Sequence, residues 1–215
     1  MRPIVVTAKL GGVGVMGDGF FPLDGLLSYA VHCEMGRPQV EEAPAVDCLE
    51  RRGEGEDWYY AASFAVAEWK GEGKSFWVKR PRYSEYITRS EAKSVTVNSG
   101  QFKGYNMPVF YLLADEIRWY CVGEPALILD LLSTHVGSVG KKRSQGWGLV
   151  SAWTVEPHDE DWSEVRDGVV TRALPAVVAR DRGLDGDPGW YGVKPAYWDV
   201  RNQGDVFLPP GKPTT

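Results

Sequence analysis

The sequence predicts an α+β protein, because a strand, helix, strand pattern occurs twice and a long basic, aromatic segment separates the two copies. The chain has 215 residues, of which 43% are hydrophobic and 25% charged, and nine tryptophans; this is the composition of a folded protein rather than a disordered one. Its length suits one large domain or two repeated half-domains. No apolar run approaches the ~18 residues of a membrane-spanning helix.

Ile4 to Leu10 is largely apolar and β-branched and reads as a strand. In "FPLDGLLSYAVHCEMG", Leu23, Leu26, Leu27, Ala30 and Val31 recur at i, i+3, i+4, i+7 and i+8, the stripe of an amphipathic helix. Pro22 and Asp24 suit its first turn and Gly36 its end. Residues 37–57 are rich in Glu, Pro, Gly and Arg without periodicity and read as a surface loop. "YYAASFAVAEW" follows, where Tyr60, Ala62, Phe64 and Val66 alternate as in a half-buried strand.

The second copy begins at "EIRWYCVG", where Ile117, Trp119 and Cys121 alternate with Arg118, Tyr120 and Val122. "EPALILDLLSTHVG" puts Ile128, Leu131, Leu132 and His135 on one helical face, with Pro125 at the helix start. "WGLVSAWTVEP" closes the unit as a strand with Trp147, Leu149 and Trp153 on one side. This order predicts a ferredoxin-like (RRM-like) βαββαβ domain over residues 1–155, an antiparallel sheet with two helices on one face. Its insertion, residues 68–105, interleaves Lys70, Lys74, Lys79, Arg80, Arg82 and Lys103 with aromatic residues, and "SFWVK" and "SVTV" suggest a projecting hairpin or thumb. Residues 156–215 read as an irregular C-terminal extension whose "GWYGVKPAYWDV" cluster packs on the body.

A net charge of −5 argues against coating nucleic acid over the whole surface but leaves room for a local basic groove. Cys33, Cys48 and Cys121 are scattered without metal or disulfide spacing and read as buried thiols of a cytoplasmic protein. "MRPIVVTAKLGG" is too short and too interrupted for a signal-peptide core. Neither a membrane partner nor a cofactor is expected.

One stretch departs from this acidic background. "GSVGKKRSQGWG", Gly137 to Gly148, packs four glycines, three consecutive cations and a tryptophan into twelve residues. It fails as a P-loop, because His135 stands where the first glycine is needed and the loop leads into a strand. "GVGVMG", Gly12 to Gly17, is a literal GxGxxG, but Asp18 and Gly19 separate it from the helix, so it reads as a flexible turn. In the basic loop, glycines such as Gly140 and Gly146 allow close approach of the backbone, and Lys141, Lys142 and Arg143 can neutralise phosphates. Ser144 and Gln145 add neutral hydrogen bonds. That chemistry suits a polyanion backbone.

The stretch Ser138 to Gly148 resembles the loop G-x-G-K-[KR]-R-[SA]-x-G-x-G of the RAMP superfamily of CRISPR-associated RNA-binding proteins, with Ser138 in place of the first glycine. Thr7 to Ala30, Gly100 to Phe110 and Ile117 to Leu132 further resemble the small backbone subunit of type IV CRISPR effector complexes. The resemblance implies a subunit that caps the 5′ repeat-derived handle of the guide RNA and docks between the large subunit and a filament-forming backbone subunit, with target DNA a further possible contact. It implies RNA contacts at Gly140, Lys141, Lys142, Arg143, Ser144 and Gly146, then at Lys79, Arg80 and Arg82, then at Lys103 and Tyr105. A non-catalytic clamp is the leading expectation. Two alternatives stay open: a metal-independent endoribonuclease of the guide precursor, with His135 and Lys141 as the pair to examine, and a protein adaptor built on "WYGVKPAYW". His32 and His158 read as structural or solvated.

Overall fold

The computed structural model describes residues 1–12, 14–37, 42–55, 57–80 and 103–211. Among these it forms a mixed α+β chain with several small antiparallel sheets and three α-helices. The body runs β1 (Arg2–Leu10), β2 (Val15–Met16), α1 (Leu23–Glu34), β3 (Arg51–Arg52), β4 (Tyr59–Tyr60), β5 (Gly71–Lys79), β6 (Tyr105–Leu113), β7 (Glu116–Gly123), α2 (Pro125–His135) and β8 (Val150–Pro157). The extension adds β9 (Val165–Arg166), β10 (Val169–Val170), β11 (Leu174–Pro175), α3 (Ala176–Asp181), β12 (Asp187–Gly192) and β13 (Gln203–Leu208).

β1 lies between β7 and β8 and is antiparallel to both. Ile4, Val6 and Ala8 of β1 and Ile117, Trp119 and Cys121 of β7 form the core face of this sheet. Leu23, Leu27 and Ala30 of α1 and Ile128, Leu131 and Leu132 of α2 pack against them. The predicted periodicities therefore meet in one core. Trp119 is fully buried, and its indole donates to the Phe21 carbonyl at 2.7 Å. Burial of Cys48 and Cys121 in this core pushes both thiols up, Cys48 to about 11.

Residues 59–67 are buried throughout rather than on alternate faces, and beyond β4 they touch β7 through isolated bridges, Ala62 to Cys121 and Val66 to Arg118. The reason is the extension. Tyr60, Ala62, Ala65 and Ala67 enter the main core, while Tyr59 packs with Val170, Leu174 and Ala179, and Phe64 with Ala173 and Val206. The extension expected to be irregular carries a three-stranded sheet, β11-β13-β12, and a short helix.

Three local expectations also change. Within the supposed surface loop, Val46, Cys48 and Leu49 are buried in the core. β8 starts at Val150, and Trp147 sits in the preceding turn, so the three residues assigned to one strand face do not share it. The hairpin has as its second arm β6, which pairs with β5 from Gly71 opposite Leu113 to Lys79 opposite Tyr105. "SVTV" and Arg82 lie outside the described residues.

Candidate nucleic-acid interface

The two glycine-rich stretches of the sequence pack together. The Lys141 amide donates to the Met16 carbonyl at 2.7 Å, the Gly148 amide to Gly14 at 2.6 Å and the Gly11 amide to Leu149 at 2.8 Å. Across the basic loop itself, the Val139 amide donates to the Gly148 carbonyl at 2.8 Å, and Val139 is fully buried. The other stretch is bound to the hairpin, since β2 pairs with Tyr111 and Leu112 of β6. Backbone hydrogen bonds thus tie the loop to the body, while the side chains of Lys141, Arg143 and Ser144 stay exposed.

Glycine is required at the close approaches. Gly148 has φ +66°, and a Cβ there would lie 1.8 Å from the Val139 carbonyl oxygen. Gly140 has φ +83°, and its Cβ would come within 2.6 Å of the Met16 oxygen. Between them a 3-10 turn, Arg143–Gln145, is bracketed by left-handed Lys142 and Gly146. A lysine at positive φ is costly, and the surrounding hydrogen bonds over-determine it.

This clamp presents the cations outward. Lys141, Arg143, Ser144 and Gly146 are exposed, and Gly140 and Lys142 are half-buried. The Lys142 ammonium caps the ring of Trp77 on β5. Trp77 meets Tyr105 edge-on with centroids 5.5 Å apart, and Lys79 lies 6.0 Å from the Tyr105 ring. Candidate residues far apart in sequence, Lys142, Lys79 and Tyr105, therefore join through one tryptophan. Arg80 is exposed just after β5 and Lys103 just before β6.

Trp77 is not among the contacts that the sequence implies. The available signal is its spacing, two residues before Lys79 and so on the same face of a strand. A second aromatic contact, Tyr111 to Trp147 at 5.1 Å, holds the loop's far end on the hairpin. Among the described residues, no carboxylate pairs with Lys141, Lys142 or Arg143. Within a chain of net charge −5, these three cations form a local positive site that has no ion-pair partner among the described residues.

A comparison with protein families places the chain. The model of the family described as CRISPR type IV associated protein Csf3 matches residues 2–209. The chain belongs to that family. The match takes in the hairpin, the basic loop and nearly all of the C-terminal extension. No curated protein matches the sequence.

The histidines are dispersed relative to the loop. His135 ends α2, partly exposed. His158 meets Tyr120 edge-on and Trp162 at a tilt, with ring centroids at 5.0 and 4.5 Å. His32 lines a groove beside α1. No helix among the described residues is long and apolar enough to cross a membrane.

Proposed function

We propose that this CRISPR type IV associated protein is a guide-RNA-binding subunit, clamping the 5′ repeat-derived handle and nucleating assembly of the effector. The observation that carries this reading is a glycine-built loop of three consecutive cations, with Lys142 on the ring of Trp77, which in turn meets Tyr105. Cations hold phosphates and aromatic faces stack bases, the two contacts that single-stranded RNA offers. Membership of a type IV CRISPR-associated family supports an effector role.

The ferredoxin-like reading of the body belongs to the same proposal. It is supported by the strand order β8-β1-β7, by the extended residues bridged to the free edge of β7, and by helices following β1 and β7. A protein-facing role for the hairpin is supported by Phe76, Val78 and Phe110, which share one face and are 55%, 49% and 57% exposed. That face suits the backbone or large subunit. We take the chain to be a clamp without catalytic function.

Binding of labelled repeat-derived RNA across a salt series tests the reading, with and without the partner subunits. Wild type should bind with a salt-dependent affinity that collapses in the Lys141→Ala, Lys142→Ala, Arg143→Ala variant, while the RNA stays intact. Cleavage abolished by His135→Ala would replace the clamp with a nuclease. Wild type that fails to bind even with its partners would leave the adaptor.

A further inference from the structure

Arg51 and Arg52 are consecutive on β3, so their side chains leave opposite faces of the strand. Arg52 is neutralised by Glu50, Asp161 and Glu164, each at 2.7 Å. Arg51 is exposed, and its guanidinium lies 3.9 Å from the centroid of Trp58. Among the described residues no carboxylate pairs with Arg51. Held by a ring face, a guanidinium keeps its in-plane N–H donors available for another acceptor.

The Lys194 ammonium lies 4.6 Å from the same indole. Two cations therefore share one tryptophan on the wall of a groove of about 1180 Å³, between α1, residues 42–45 and the C-terminal extension. Trp198 lines this groove with 82% of its surface exposed. The groove is open and larger than the ~300–1,000 Å³ of pockets that enclose a small ligand, a shape suited to an extended chain. Its acidic residues are answered internally: Arg201 reaches Asp199 at 2.6 Å and Glu42 at 3.7 Å.

The groove and the basic loop meet at Tyr29. Tyr29 lines the groove, and the Arg143 guanidinium sits 4.9 Å from the Tyr29 ring. The last cation of the loop thus stands at the groove's mouth.

We propose that the groove is a second track for the same single-stranded RNA. Phosphates pass from the loop cations over Tyr29 to Arg51, and a base stacks on Trp198. The proposal rests on the RNA reading of the loop and extends it to a surface built from two segments distant from it in sequence, β3 and the residues after β12.

The test uses the full chain and fluorescent oligouridylates of about 5 and about 15 nucleotides, near the two ends of the ~4–16 nucleotides that a single-strand groove covers. Trp198→Ala should bind the short strand as wild type does and the long strand roughly 5- to 100-fold more weakly, the worth of one stacked base. Arg51→Ala should also weaken only the long strand, and should lower the slope of log affinity against log salt by about 0.7, one single-strand phosphate contact. Trp198→Ala should leave that slope unchanged, and Trp198→Phe should recover part of the lost affinity. Wild-type melting temperatures in these variants would exclude unfolding as the cause.

If both alanine variants bind the long strand as tightly as wild type while the triple loop variant does not, the groove is not an RNA track and the loop reading stands. If wild type binds neither strand even with its partner subunits, both readings fall. Loss of partner-protein capture with unchanged RNA affinity would make the groove a protein surface and overturn the proposal.

Discussion

The seam between body and extension and the basic loop use cations in opposite ways. At the seam, Arg172 is fully buried and donates to the carbonyls of Tyr60, Ala62 and Val193. Arg172 also lies 3.7 Å from the Asp24 carboxylate, which in turn accepts from the Tyr197 hydroxyl at 2.7 Å. Arg52 and Arg182 converge on Glu164. At the loop and in the groove, Lys142, Arg143 and Arg51 rest on aromatic rings. Oxygen partners consume a cation's hydrogen-bonding capacity, whereas ring faces orient it and leave that capacity intact. Arg172 also lies 5.0 Å from the Tyr59 ring, so the difference between the two regions is the set of oxygen partners that the seam adds.

The contrast breaks most severely at Arg172. Arg172→Ala leaves buried Asp24 without its counter-charge and should cost about 3–5 kcal/mol, seen in chemical denaturation as a lower midpoint. Next comes the loop's backbone clamp. Gly148→Ala forces a Cβ onto the Val139 carbonyl and should cost about 2–3 kcal/mol, and it should weaken RNA binding although no cation is removed.

Arg52→Ala should cost about 1–2 kcal/mol near neutral pH. Burial pulls the Asp161 pKa up, but hydrogen bonds from Ser163 and Arg52 outweigh it and hold the pKa below the usual value. A depressed carboxylate contributes stability above its unfolded pKa and loses it as pH falls through the folded one. The gap between wild type and Arg52→Ala should therefore narrow in acid, as urea denaturation in a pH series would reveal.

Asp24 gives the opposite sign. Burial raises its pKa despite Arg172 and Tyr197, so its contribution is full below the unfolded value and declines as pH rises through the folded one. The smallest effect sharpens the comparison. Replacing Lys141, Lys142 and Arg143 with alanine should change stability by no more than about 0.5 kcal/mol, while lowering the salt slope of RNA binding by about 2.

The elements legible in the sequence were those whose pattern one local surface dictates. β1, β7, α1 and α2 each show one apolar face to the same core, and periodicity finds them. Residues 59–67 carry two buried faces because a distant part of the chain covers the second, and no local period encodes that. β6 was hidden by Pro108, which is tolerated because β2 reaches only Tyr111 and Leu112 and leaves that stretch of strand edge unpaired by β2. In the site, the basic loop was visible as an anomaly of composition. Its union with Trp77 was not, since it depends on how the hairpin and the turn after β1 fold back on each other.

The seam also dictates a schedule for synthesis. Arg172 closes onto the Ala62 carbonyl across 110 residues of sequence, and the Phe64 amide donates to Thr171 at 2.9 Å. At roughly 5–20 residues per second, translation needs about 5–20 s to deliver these partners after residue 62 has been made. During that interval the nascent chain holds an apolar segment with one flank uncovered, a window in which a ribosome-associated chaperone has a defined target.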